Sequence, residues 1–99
     1  MKFERVSTFP PYVNLPVRAT ADSAGYDFEC ACDTKVAPHS IALIPTGVKA
    51  KIDDGYYLQL ALRSSTPKKK GLMLANAVGI IDSGYWGPDG AKDEGHIMF

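Results

Sequence analysis

Apolar and polar positions alternate over short stretches of this chain, and the helical spacing of three to four residues is sustained nowhere. From Tyr56 to Arg63 the alternation puts Tyr56, Leu58, Leu60 and Leu62 on one face and Tyr57, Gln59, Ala61 and Arg63 on the other. This predicts a half-buried strand that delivers an arginine at its end. Val48 to Ile52 predicts a preceding strand, and Asp53-Asp54-Gly55 between the two predicts a hairpin turn, because glycine accepts a positive φ. Gly25 to Cys32 reads as another strand, as does Ile41 to Thr46 after the break Pro38-His39-Ser40. Gly71 to Leu74 and Val78 to Ile81 flank Ala75-Asn76-Ala77 in a second hairpin pattern, and one helical turn is predicted around Ser65 to Lys70.

Seven prolines and nine glycines keep these pieces short and exclude long helices. The expected fold is all-β, a sandwich or barrel of short antiparallel strands. At 99 residues the chain forms one domain, spanning 1–99. A domain of this size buries only about 60% of its unfolded surface, so help from a partner subunit is expected.

Charge narrows the partners. Acidic and basic residues balance at 11 each, so no global field draws the protein to nucleic acid or a lipid surface. The run Lys68-Lys69-Lys70 has no interleaved aromatics and reads as a solvated loop. No apolar stretch approaches the roughly 20 residues of a membrane span, and Met1 to Arg5 lacks the core of a signal peptide, so a cytoplasmic location is expected. Cys30 and Cys32 are expected to be reduced, partly buried thiols, since zinc would need two further ligands at suitable spacing.

Three polar clusters interrupt the β pattern at strand ends. In Ala21 to Phe28, small residues lead through Gly25 to Asp27, which fits either a site or an ordinary turn. Arg63-Ser64-Ser65-Thr66 combines a planar guanidinium with hydroxyl donors, a set suited to polyphosphate. The same residues also suit a helix cap, with Ser64 or Ser65 closing the turn that Pro67 begins. In Asn76 to Gly87 an apolar strand ends in Asp82 and turns through Ser83-Gly84 to Tyr85 and Trp86. A partly desolvated carboxylate there would accept a proton from water, and the alternative is an Asp-Ser-Gly turn with a packed tyrosine.

In this order AGYDF, RSST and NAVGIIDSGYWG resemble the first three of the five motifs of the trimeric dUTPase family, and the similarity extends through LPVRATADSAGYDF and IPTGVKAKIDDGYYLQLALRSS. The resemblance implies a distorted jelly-roll or β-clip barrel that hydrolyses dUTP to dUMP and pyrophosphate with magnesium. Asp27 matches the residue that orders the water shell of that magnesium. Arg63, Ser64 and Ser65 match phosphate ligands. Asn76, Gly79, Ile80 and Ile81 match the hairpin that reads uracil, and Tyr85 matches the tyrosine under the deoxyribose. Asp82 matches the aspartate that activates water for attack on the α-phosphorus, and Met98 falls beside the nucleoside pocket.

Gly84 stands where many relatives carry a second aspartate, and Pro88 to Phe99 is longer than the usual connection after the third motif. Two further motifs would lie beyond Phe99, so the residues correspond to the first two-thirds of such an enzyme, without its C-terminal strands and mobile arm. Its complete form is expected to be a homotrimer with sites between subunits. A non-catalytic nucleotide-binding or regulatory fragment of the same fold is the alternative. A dCTP deaminase shares the RSS segment, but its catalytic glutamate has no counterpart on the strand around His96, Ile97 and Met98, and Glu94 falls in the inserted segment.

Overall fold

The computed structural model describes residues 1–99. Every strand pairing is antiparallel. Strands β1 (Lys2–Arg5), β2 (Pro45–Lys51) and β5 (Ile97–Met98) form a three-stranded sheet in the order β1-β2-β5, and β3 (Tyr57–Leu60) pairs with β4 (Gly79–Asp82) in a second sheet. Helix α1 covers Ser65–Lys70, and a single 3-10 turn covers Ser83–Tyr85.

The β2 alternation brings Ala50 and, just beyond the strand, Ile52 into a cluster with Leu60 of β3 and Ile97 of β5. Phe3, Phe28, Leu58, Ile81 and Phe99 pack around this cluster, so one small core joins the two sheets. Only 14 of the 99 residues are buried, and large apolar side chains such as Ile41, Leu43 and Met73 are exposed.

Several expected elements are placed differently. Asp53-Asp54-Gly55 does turn, with the Tyr56 N–H donating to the Asp53 carbonyl and Gly55 at φ 85°. Yet β2 pairs with β1 and β5, and β3 with β4, so the turn passes between sheets and closes no hairpin. Gly25 to Cys32 forms no strand: it makes one isolated bridge, Asp27 to Val17, because its aromatic side chains anchor it to β1 instead. Gly71 to Leu74 likewise is no strand, and β4 takes β3 as its partner. Ile41 to Ile44 stays outside the sheet, although Ile44 and Phe99 exchange two backbone hydrogen bonds of 2.6 and 2.9 Å. Tyr56, expected inward, is 71% exposed, since the inward alternation starts at Leu58. Both cysteines are free and exposed rather than partly buried.

Candidate functional site

The β3–β4 ladder carries most of the candidate residues. Its register runs from Tyr57 opposite Asp82 at one end to Leu60 opposite Gly79 at the other. In this two-stranded sheet β4 pairs on one edge only, so its other edge offers backbone N–H and C=O groups free of strand partners. Gly79 allows the close approach of the strands: a Cβ there would lie 3.0 Å from Leu60 Cδ1. Ahead of it the chain turns at Ala77 (φ 65°), with the Val78 N–H donating to the Asn76 carbonyl at 2.7 Å.

Asn76 and Gly79 line a groove of about 740 Å³ together with Leu60, Leu62 and Met98, so three elements distant in sequence converge there. Ile80 is exposed and Ile81 packs on the core, as expected of neighbours on a pleated strand. Arg63, Ser64 and Ser65 leave β3 at this same end and open α1. The helix-cap alternative fails, since Ser64 occupies the cap position but makes no side-chain capping bond. Arg63 is exposed and its guanidinium enters no salt bridge, so the fork is available to an anion.

Asp82 sits at the opposite end. It closes β4 and opens the 3-10 turn that carries Tyr85, and its carboxylate makes no cap bond. Asp82 is exposed rather than partly desolvated, because its side chain alternates with core-facing Ile81. Its ladder partner is Tyr57 at the start of β3, whereas the Arg63 segment follows the other end of that strand, where Leu60 faces Gly79.

Asp27 is placed by its neighbours. Tyr26 and Phe28 pack edge-on against Phe3 at ring separations of 5.2 and 5.5 Å, so alternation turns the intervening Asp27 to the other side. No group of three His, Cys, Asp or Glu side chains converges to hold a metal unaided. A lone carboxylate such as Asp27 fits a cation bound chiefly by phosphate oxygens and water.

The segment after Tyr85 holds a buried polar network that the pattern of the sequence did not reveal. Lys49, fully buried on β2, donates to the Gly87 carbonyl at 2.9 Å, to Asp89 at 2.8 Å and to Glu94 at 3.2 Å. Glu94, also buried, accepts from the Ser7 hydroxyl, the Ser7 N–H at 2.9 Å and the Gly90 N–H at 3.1 Å. Those donors, the Ser7 hydroxyl first, hold its carboxyl down at about 2 although burial opposes them. Burial works against the Lys49 charge too, but its bonds to Asp89 and Glu94 prevail and raise its pKa. Glu94 is thus committed to a buried ion pair, which removes it as the general acid or base of a deaminase.

His96 is buried and accepts the Gly47 N–H on Nε2 at 2.9 Å, while burial pushes its pKa down against the pull of Asp93 and Glu94. Its carbonyl accepts the Tyr85 hydroxyl at 2.7 Å. Between these anchors Asp93, Glu94 and Gly95 are all left-handed, at φ 58°, 50° and 81°. For the two non-glycine residues this costs about 1–2 kcal/mol each. No helix of the protein is long and apolar enough to cross a membrane.

The dUTPase family model matches residues 11–89. A deoxyuridine 5'-triphosphate nucleotidohydrolase of Lactococcus lactis is 50% identical over 87 residues, covering 87% of this chain and 56% of the relative. The enzyme of that name from Chlamydia pneumoniae is 43% identical over 75 residues, covering 74% of this chain and 52% of its own length. The chain spans about half the length of these curated relatives. The crystal structure of a dUTPase from Streptococcus mutans superposes with a TM-score of 0.92 at 44% identity, covering 99% of this chain and 75% of that one.

Proposed function

The chain belongs to the dUTPase family, and from that premise we propose that it contributes the nucleotide pocket and catalytic base of a dUTP pyrophosphatase. The products are dUMP and pyrophosphate. The free edge of β4 from Gly79 to Ile81, with Asn76, offers donors and acceptors to the edge of a uracil ring, and Met98 borders the same groove. Tyr85 lays its ring against the deoxyribose.

Arg63, Ser64 and Ser65 bind the phosphate chain, the arginine through its planar fork and the serines through their hydroxyls. Asp82 accepts a proton from a water whose oxygen attacks the α-phosphorus, and pyrophosphate leaves. When bound, magnesium would neutralise charge on the phosphate oxygens, with Asp27 reaching it through water. The work of the protein is to position the nucleotide, place donors against the phosphates and receive one proton.

The observation that carries this reading is the placement of Asp82 at one end of the β3–β4 ladder and of the Arg63 segment beyond the other, in a molecule with so much uncovered apolar surface. A site assembled between copies, with Asp82 from one and Arg63 from another, meets both facts, and a homotrimer supplies it. A cytoplasmic enzyme acting on a free nucleotide is consistent with the balanced charge. The test is magnesium-dependent pyrophosphate release from dUTP by the full protein. Turnover that falls at least about 100-fold in Asp82→Asn supports the assignment. No turnover by the unaltered protein overturns it in favour of a non-catalytic nucleotide-binding role.

A further inference from the structure

We propose that Glu94 is a positioning residue for Tyr85 and thereby sets the preference for deoxyribose over ribose. The inference rests on the reading that Tyr85 faces the sugar.

Tyr85 is held at two points by the segment that follows it. Its hydroxyl donates to the His96 carbonyl at 2.7 Å. Its backbone carbonyl lies against Gly95 so closely that a Cβ there would sit 2.6 Å away, with Trp86 Cα at 2.8 Å. Both contacts depend on the left-handed run Asp93-Glu94-Gly95, closed by the His96 N–H donating to the Asp93 carbonyl at 2.7 Å. Such a backbone persists only where its surroundings over-determine it. Glu94 supplies that restraint: from the middle of the run its carboxylate ties the loop to Lys49 of β2, to Ser7 just after β1 and to Gly90 across the loop. At the neck, the Gly87 N–H donates to the Glu94 carbonyl at 3.0 Å.

The consequence for the sugar is chemical. With its hydroxyl hydrogen committed to His96, Tyr85 presents a fixed aromatic face and has no donor left for a sugar oxygen. A ribose 2′-hydroxyl pressed on that face loses its water partners and gains none. Without the bond to His96, the ring would tilt and leave room for a ribose 2′-hydroxyl to keep its water partners, so preference would fall.

The test measures the affinities of the full protein for dUMP and UMP by calorimetry in the unaltered form, Glu94→Gln, Tyr85→Phe and the double variant. Trp86, the single tryptophan, reports loop release through its emission. We expect each single variant to lower the dUMP:UMP preference about 10-fold and the double variant to lower it no further, because both act on one element. Additive losses, or an unchanged preference in Glu94→Gln despite a shifted Trp86 emission, overturn the inference and leave the nucleotide reading standing. Binding of neither nucleotide by the unaltered protein removes both. Should Glu94→Gln fail to fold, Ser7→Ala takes its place, with a smaller fall in preference expected and an unchanged one overturning the proposal.

Discussion

Lys49 Nζ lies 3.2 Å from the Glu94 carboxylate, with both side chains withdrawn from solvent and joined across 45 residues of sequence. Removing one partner strands the other charge in the interior, which is far more damaging than losing an exposed pair. Lys49→Met is expected to lower the melting temperature by on the order of 10 °C. Asp89→Asn, at the 74% exposed carboxylate on the same ammonium, should lower it by no more than about 2 °C. Thermal melts followed by circular dichroism distinguish the two.

Stability should fall in acid in two stages. His96 is held below its usual pKa of 6.5, so the unfolded chain takes up its proton more readily than the folded one. Its contribution is complete above pH 6.5 and is lost as pH falls through the depressed folded value. Protonation also removes the Nε2 lone pair that accepts the Gly47 N–H. Glu94, lowered from 4.5 to about 2, contributes fully above pH 4.5 and loses that contribution between there and about pH 2. Urea midpoints measured across this range should decline below pH 6.5, and His96→Gln should flatten the upper part of the decline.

Mixing two inactive forms tests whether the site is shared. Asp82→Asn and Arg63→Ala, each inactive alone, are expected to regain about a quarter of the unaltered activity when unfolded and refolded together at equal ratio, because one site in four then draws both intact residues from different copies. If each site were built within one copy, the mixture would stay inactive. Pyrophosphate release before and after co-refolding measures this.

Gly84 of the third cluster and Gly95 beyond it should respond differently to substitution. A Cβ at Gly84 meets nothing within 4 Å, so Gly84→Asp should melt within about 2 °C of the unaltered protein. At Gly95 φ is 81° and the Tyr85 carbonyl would be 2.6 Å from a Cβ, so Gly95→Ala should melt on the order of 10 °C lower. Parallel melts decide both.

Local features were legible in the sequence where they depend on neighbours along the chain. The alternation of Leu58 and Leu60, the helix at Ser65–Lys70 and the turn at Gly55 follow from side-chain period and glycine geometry. Strand partnership was not legible in the same way. The natural assumption that a turn joins paired strands fails at Asp53-Asp54-Gly55, where β2 finds its partners near the two ends of the chain. Lys49 and Lys51 look alike in the pattern of β2, and only distant Glu94 and Asp89 make one of them a buried ion. The three polar clusters could be found by residue type, but the distance between Asp82 and Arg63 depends on the β3–β4 register.

The apolar groove beside β5 also bears on how the protein behaves in solution. Ile41, Leu43 and Met73 line it and stand 85%, 69% and 82% exposed, next to a strand only two residues long. Covering such a surface is favourable, so the assembly between copies proposed above would couple association to folding. The midpoint of unfolding would then be a function of protein concentration, rising as the solution is made more concentrated. In that case a melting temperature would have meaning only when the concentration is stated, and dilution alone would act as a denaturant.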